Sequence, residues 1–300
     1  MKRSYRAGLM LRTAARAAFT LVELLVVMAI IAILFGLTTA GVMQYLRKVP
    51  DVTTRNDIGQ LSNSLETFKT KFKLYPPSAI FLANDPAAYS GNNAQAPFAF
   101  RQQSLRYLTS MWPRIFSNGQ PVDWTGAGAN SSYATILEGD QCLVFFLRGI
   151  NGTGFSTNGI NPTQLGGNRV GPFFEFSPSR LAVIQTHTVG DNVIFPSYID
   201  AYSIGAIQGS PYLYFSSGLT RNGYGSDCPT FMPAPYSKPK ANVADPLQFY
   251  NPDTFQIISA GRNLQFGPGG TWTPANAAVI GVAGFDDLSN FHGEMMGVNN

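Results

Sequence analysis

Glu23 is the residue whose type and position first suggest chemistry. It is the only charged side chain in residues 19–43, a run that is otherwise apolar or small and uncharged. On membrane-insertion scales a charged side chain costs about 2.5–3.5 kcal/mol at the centre of a spanning helix, and less near an end. Neither a plain anchor nor a secretory signal peptide needs this carboxylate. Its presence indicates a function in which a cation meets Glu23.

The segment that carries Glu23 is long enough to cross a bilayer. As a helix rising 1.5 Å per residue, residues 19–43 span roughly 37 Å, against about 30 Å for a hydrocarbon core. Five basic and no acidic side chains precede it, at Lys2, Arg3, Arg6, Arg12 and Arg16. This asymmetry predicts a single pass with a cytoplasmic N-terminus and an extracytoplasmic body. Three kinds of segment fit: a transmembrane anchor, a secretory signal peptide with Thr38 and Ala40 before the cut, and a pilin-type signal.

The formal net charge of +4 is a property of the first 18 residues. Without them the chain keeps 16 basic and 17 acidic side chains and is close to neutral. No cluster of Lys and Arg with interleaved aromatic residues occurs in the body. The sequence therefore predicts no binding of nucleic acid by the body.

Residues 17–27, AAFTLVELLVV, resemble the type III signal of type IV pilins and type II secretion pseudopilins. The resemblance implies that prepilin peptidase cuts between Ala18 and Phe19 on the cytoplasmic side and that the new amine of Phe19 is methylated. One departure is Ala18, which stands where the family usually has glycine. Glu23 takes the place of the family's conserved glutamate. In a filament of side-by-side helices, its carboxylate would pair with the N-terminal ammonium of a neighbouring subunit.

The sequence predicts four consecutive parts. These are a cytoplasmic leader at 1–18, a transmembrane helix at 19–46, an amphipathic helix at 47–75 that continues it as one rod, and a globular head at 76–300. The amphipathic part has an apolar stripe at spacings of three and four, formed by Ile58, Leu61, Leu65, Phe68 and Phe72. Pro50 predicts a kink or interruption, and Tyr75-Pro76-Pro77 predicts the end of the helix.

The head is predicted to be an antiparallel sheet against the long helix, which makes the fold class α+β. Many Gly, Pro and Asn turn signals separate the expected strands at Cys142–Leu147, Leu181–Thr186, Tyr212–Phe215, Phe255–Ser259 and Ala278–Val282. Residues 132–147 alternatively hold a short helix that ends in a strand. The region 80–210 has no family motif and resembles an enlarged, loop-rich insertion whose role is open.

Two cysteines and two histidines are the remaining candidates for chemistry. Cys142 and Cys228 either pair as a disulfide or stay as two buried thiols, because spacing alone does not place their Cα atoms. His187 is expected to be structural, and His292 is expected at the surface. No zinc-like Cys/His spacing, nucleophile elbow or phosphate-binding loop is present, so the chain is predicted not to be an enzyme.

The C-terminal stretch resembles the major pseudopilins. Residues 255–261, FQIISAG, are similar to their late strand, and residues 285–291, FDDLSNF, to their acidic C-terminal loop, which binds Ca²⁺. The resemblance implies Asp286, Asp287 and Ser289 as calcium ligands, with no other cofactor. Arg262 and Asn263 depart from the family pattern, which often has a further acid there. The alternative is a solvated acidic turn without metal.

The leading interpretation is a structural subunit of a type II secretion-like pseudopilus. Its expected partners are prepilin peptidase, identical or related pilin-like subunits, the membrane and an inner-membrane assembly platform. It would reside in the cytoplasmic membrane and then in an extracytoplasmic filament. One alternative is a type IV pilus subunit for adhesion, motility or DNA uptake. The other is a secreted binding or enzymatic domain behind an ordinary signal peptide.

Overall fold

A computed structural model describes residues 19–91, 95–126, 128, 133–184, 195–204, 209–225, 227 and 233–298, without the side chains of 40, 41 and 43–47. The leader with Ala18, together with His187 and Cys228, lies outside these residues. The chain divides into two compact units, residues 1–49 and 50–300. We describe each unit by itself.

One 52-residue helix, α1 (Leu21–Phe72), runs from the first unit into the second and contains Pro50. In the first unit, its residues Leu21–Thr39 form the one helix among the described residues that is long and apolar enough to cross a membrane. Large apolar side chains are exposed along it, including Phe35 and Leu37, each 70% accessible. Such exposure requires an apolar environment that the chain itself does not supply.

In the second unit, α1 buries the apolar stripe that the sequence predicts. Leu61, Leu65 and Phe68 have no solvent exposure, and Ile58 is 5% exposed. The helix ends at Phe72, and Lys73 adopts a left-handed conformation with φ of 66°. The Tyr75-Pro76-Pro77 turn follows directly, and the Tyr214 hydroxyl donates to the Pro76 carbonyl at 2.8 Å.

The described residues of the head form three further α-helices and twelve short strands. The helices are α2 (Ala87–Ser90), α3 (Phe98–Met111) and α4 (Gly139–Arg148). The strands are β1 (Ile80–Ala83), β2 (Ala134–Leu137), β3 (Phe155–Ser156), β4 (Arg169–Val170), β5 (Leu181–Ala182), β6 (Ser197–Tyr198), β7 (Leu213–Ser216), β8 (Tyr236–Lys238), β9 (Gln248–Phe249), β10 (Phe255–Ser259), β11 (Gly270–Thr271) and β12 (Leu288–Ser289). The α+β class predicted from the sequence is confirmed.

The strands form small sheets. The longest strand, β10, lies between β12 and β7, and both pairings are antiparallel. A second three-stranded sheet has the order β11-β8-β9, in which β11 and β8 are parallel. The pairs β1–β2, β3–β4 and β5–β6 are antiparallel. Phe255–Ser259 is a strand, as the sequence predicts, and the structure places it in the middle of its sheet.

The β12-β10-β7 sheet separates two hydrophobic cores, because successive side chains of a strand point to opposite faces. Tyr214, Ile257 and Leu288 belong to the principal core with α1, α3 and α4. Phe215 and Ile258 belong to a smaller core on the other face, with Tyr236, Trp272, Ile280 and Met296.

Two of the predicted strands are wrong. Cys142–Leu147 lies within the helix α4. Its apolar run is compatible with a buried helix as well as a buried strand, and the Glu138 N–H, which donates to Gln141 Oε1 at 3.1 Å, marks a helix start. Residues 278–282 lie in a 3₁₀ helix (Pro274–Ile280) and the turn after it, where Pro274 fixes the first helical position. The alternative prediction for residues 132–147, a short helix that ends in a strand, has the wrong order, because the strand β2 precedes the helix α4.

The region 80–210 is part of the principal core. Phe81, Leu108, Leu143, Phe146 and Phe155 have no solvent exposure and pack in the same cluster as the α1 stripe. The region is therefore an enlargement of the core and not a peripheral addition to a finished sheet.

Candidate functional site

Glu23 occupies the first turn of α1 and makes a reciprocal cap with Thr20. The Thr20 N–H and hydroxyl both donate to Glu23 Oε2 at 2.8 Å, and the Glu23 N–H donates to Thr20 Oγ1 at 3.2 Å. This is a capping box, in which a Thr at the N-cap and a Glu three residues later satisfy free N–H groups of the helix end. Sequence reasoning missed Thr20, although the Thr-x-x-Glu spacing is the signature of this motif.

The cap leaves half of the carboxylate available. All of the bonds received from Thr20 go to Oε2, and Oε1 has no hydrogen-bond partner among the described residues. An exposed oxygen of a fixed carboxylate can accept from a cation without breaking the cap. Phe19, the residue before Thr20, is 80% exposed. Ala18, the other residue of the predicted cleavage site, lies outside the described residues.

A polar network ties the head to the start of the second half of α1. Thr54 Oγ1 donates to Asp200 Oδ1 at 2.7 Å, and the Ser259 hydroxyl donates to Asp200 Oδ2. Asp57 forms an ion pair with Arg180 at 2.8 Å and accepts from the Tyr212 hydroxyl at 2.8 Å. Burial raises the pKa of Asp200.

Arg262 belongs to the same network. Its guanidinium pairs with the Asp51 carboxylate, the Nε–Oδ1 distance being 3.1 Å, and Asp51 also accepts from the Tyr202 hydroxyl. Asp51, Thr54 and Asp57 recur every three residues on α1 and therefore share one face. The departure noted at Arg262 thus has a structural role in holding α1. The sequence shows the spacing but not the distant partners.

The predicted calcium ligands lie in and beside the turn before β12. Asp287 is fully buried, and Asp286 and Ser289 are each 8% exposed. The alternative of a solvated acidic turn is therefore wrong. Asp286 Oδ1, Asp287 Oδ1 and Ser289 Oγ are buried and have no hydrogen-bond partner among the described residues. Buried polar atoms without partners are rare in proteins, and three of them lie within four residues here.

The remaining oxygens of the two carboxylates are held by the backbone. Asp286 Oδ2 accepts from the Asn263 N–H at 2.9 Å, and Asp287 Oδ2 accepts from the Gly267 N–H at 2.9 Å. Gly261 also lies against the loop: with φ of 62°, a Cβ there would be 2.1 Å from the Asp286 carbonyl oxygen. Only glycine fits that position. These contacts fix the loop without using its three unpartnered oxygens.

Burial raises the pKa of Asp287 to about 8, and the neighbouring Asp286 carboxylate adds to the shift. Desolvation disfavours the charged form of a carboxylate that has no cation beside it. A divalent cation would reverse this balance, since calcium binds carboxylate and other oxygen donors. Asp286, Asp287 and Ser289 supply oxygen donors, the type that calcium binds. Within the described residues, no group of three His, Cys, Asp or Glu side chains converges as a metal site.

Cys142 is buried in α4, and its thiol is 3.6 Å from the Leu137 carbonyl oxygen. Cys228 lies outside the described residues, so their pairing stays a prediction. Asp227, the residue before Cys228, accepts through its backbone carbonyl from the N–H of Gly139, the first residue of α4, at 2.8 Å. Gly139 is three residues before Cys142, so residue 227 contacts α4 about one helical turn away from Cys142.

His292, which is expected at the surface, is partly exposed. Its ring packs edge-on against Trp272, with 5.0 Å between the ring centroids, and its Nε2 is buried. The ring therefore lies beside the smaller core, to which Trp272 belongs.

The described head is thus an α+β body. In the first unit, the Leu21–Thr39 part of α1 is apolar and exposed, and Glu23 is the one carboxylate of that part. Residues 13–39 match the family described as the prokaryotic N-terminal methylation motif. No curated protein and no solved structure shows significant similarity to the chain. The match ends at residue 39 and leaves the head uncovered.

The chain carries a type IV pilin-like prepilin signal, as the sequence predicts. The motif supports a type IV pilin-like or pseudopilin precursor and suggests a structural subunit. It implies processing by prepilin peptidase and assembly with pilin-like subunits. Together with the apolar helix Leu21–Thr39, it fits membrane anchoring.

Proposed function

We propose that the chain is a structural filament subunit of a type II secretion-like pseudopilus. Prepilin peptidase cuts between Ala18 and Phe19, the Phe19 amine is methylated, and the mature chain assembles through its N-terminal helix. The observation that carries the proposal is Glu23, a carboxylate fixed at the start of an apolar helix with one oxygen still available. The ammonium created by the cut is the cation that this oxygen accepts from.

The topology follows from the same segment. The five cations of the leader remain on the cytoplasmic side, the helix crosses the membrane once, and the head lies outside. The inner-membrane assembly platform then moves the anchored subunit into the filament.

Mass spectrometry of the mature N-terminus tests the proposal. We expect a chain that begins at a methylated Phe19. A chain that begins near Gly41 would instead show removal of an ordinary signal peptide and would overturn the filament function in favour of a secreted domain. A type IV pilus subunit would share the methylated Phe19. Filaments present on the cell surface of a strain that lacks the secretion platform would favour the pilus.

We also propose that the loop before β12 binds calcium through Asp286, Asp287 and Ser289. Its support is the set of three buried oxygens without partners. Calcium would stabilise the β12 edge of the central sheet, where these residues lie. Because calcium has to displace a proton from Asp287, its affinity should rise with pH between 6 and 8.

Thermal unfolding of the mature chain in detergent, with and without calcium, tests this proposal. We expect calcium to raise the unfolding temperature of the wild type and of the surface control Asp253→Asn. Asp286→Asn and Asp287→Asn should abolish that increase. An equal response of all four proteins, or none in the wild type, would rule out the site.

A further inference from the structure

The head contains a cavity whose lining residues all belong to the region 80–210. The proposed filament assembly does not use this cavity. The cavity has a volume of about 280 Å³ and lies between the C-terminal half of α4, the turn after it and the segments at residues 124–125 and 195–196. Small-molecule sites in proteins are concave, mostly apolar and begin at about 300 Å³. The cavity lies just below this range, so its size suits only a compact ligand.

Aromatic rings form the apolar part of its wall. Phe145 stands edge-on to Trp124 and to Phe195, with centroid distances of 6.2 and 5.5 Å. The Trp124 indole N–H donates to the Ala83 carbonyl at 3.0 Å, so the ring has no free polar atom to offer. The Phe195 ring is partly exposed. Trp124 is fully buried and Phe145 is 5% exposed, so Phe195 offers the aromatic surface that a flat ligand ring can meet.

Arg148 is the one charged side chain among the described residues that line the cavity. Its guanidinium has no carboxylate or carbonyl partner among the described residues, although it is partly buried at the end of α4. Gly152 lets it lie flat against the turn, because a Cβ at that position would be 3.2 Å from Arg148 Nε. A half-buried guanidinium needs acceptors, and a carboxylate matches its paired N–H groups.

The usual structural role of an arginine at a helix C-terminus does not account for Arg148. Such a side chain stabilises a helix by donating to the last carbonyl groups. In α4 the backbone already satisfies these groups. The carbonyls of Phe145, Leu147 and Arg148 accept from the N–H groups of Gly149, Phe173 and Gly154 at 2.8, 2.8 and 3.0 Å.

The same helix end limits the charge of the ligand. A helix C-terminus has a partial negative charge, which disfavours anions, so a ligand with one negative charge is opposed less than a ligand with two. Asn151 lies at the mouth of the cavity in a left-handed conformation with φ of 53°, and its side chain is exposed. It can donate a second hydrogen bond to the anionic group.

We propose that this cavity binds a small aromatic monocarboxylate, with the ring against Phe195 and the carboxylate on the Arg148 guanidinium. The head then has a ligand-binding function besides assembly. The site rests on residues far from the signal segment and is independent of the pseudopilus assignment.

Fluorine NMR of 4-fluorobenzoate with the mature chain in lipid nanodiscs tests this site, with unlabelled benzoate as competitor. We expect saturable binding that benzoate displaces and that benzyl alcohol, which has the ring without the charge, does not. Arg148→Gln should weaken binding by about tenfold or more, since hydrogen bonds to charged groups contribute strongly. Asn151→Asp should also weaken it, because aspartate tolerates the left-handed backbone and repels the carboxylate.

Arg106→Gln is the matched control, because Arg106 is an exposed arginine of α3 outside the cavity. It should bind 4-fluorobenzoate like the wild type, and all three variants should keep the wild-type unfolding temperature. The site would be overturned by non-saturable binding, by unchanged affinity in Arg148→Gln, or by equal competition from benzyl alcohol.

Discussion

The two roles of Glu23, helix cap and assembly partner, can be separated by one pair of substitutions. Glu23→Gln keeps an oxygen that accepts from the Thr20 N–H and hydroxyl, since glutamine also serves at this position of a capping box. It removes the charge that a neighbouring ammonium needs. Glu23→Ala removes both. The capping bonds are in the described structure, whereas the pairing with a neighbour is our proposal.

The free-energy cost of losing the helix cap and the cost of losing the ion pair differ enough to tell the two roles apart. Loss of an N-terminal cap costs about 0.5–2 kcal/mol, which a helix of 52 residues tolerates. Loss of one partner of a buried ion pair costs about 3–5 kcal/mol, or roughly two to four powers of ten in an association constant. If pairing drives assembly, Glu23→Gln should fail to form filaments as completely as Glu23→Ala. If Glu23 only caps the helix, Glu23→Gln should assemble normally.

The assay is the yield of sheared filaments, normalised to the amount of processed subunit in the membrane. Thr20→Ser is the matched control, because it keeps the hydroxyl and the N–H of the cap and leaves the carboxylate in place. We expect Thr20→Ser to assemble, and Glu23→Gln and Glu23→Ala to give no filaments at normal subunit levels. Filaments from Glu23→Gln at wild-type yield would refute the pairing.

Three further predictions concern the stability of the mature chain in detergent. Asp57→Ala should lower the unfolding free energy by about 3–5 kcal/mol in urea titrations, because it leaves the Arg180 guanidinium buried at 10% exposure without its partner; a loss below about 1 kcal/mol would contradict this. Phe146→Ala should cost about 3–5 kcal/mol, since Phe146 is fully buried in the principal core, and a small loss would mean that this part of the region 80–210 is not core. Without calcium, the folded state should hold a proton on Asp287 up to pH about 8, while the unfolded chain loses it near 4. The unfolding free energy should therefore fall as pH rises through this window, by at most about 1.4 kcal/mol per unit, and Asp287→Asn should flatten the dependence.

Free and paired cysteines differ in mass after alkylation, which tests the predicted disulfide. If Cys142 and Cys228 pair, the denatured chain should take up alkylating reagent only after reduction. Uptake of two groups without reduction would establish two thiols.

The sequence by itself determined the features that depend on local order. The N-terminal signal, the apolar stripe of α1 and the strand Phe255–Ser259 each follow from consecutive residues or a fixed spacing. The Thr20–Glu23 cap was also readable, because a capping box needs only four residues. It was overlooked in favour of the missing cation.

Tertiary structure decided what depends on distant partners. The apolar run of α4 predicts a strand from sequence alone, because a fully buried helix and a fully buried strand share one composition. Arg262 was read as a departure from a family pattern, and only folding brings it to Asp51, 211 residues earlier in the chain. The burial of Asp286 and Asp287, and the cavity at Arg148, likewise arise where segments far apart in sequence meet. Residue order specifies which groups exist, but desolvation and unmet hydrogen bonds exist only once the chain has packed around them.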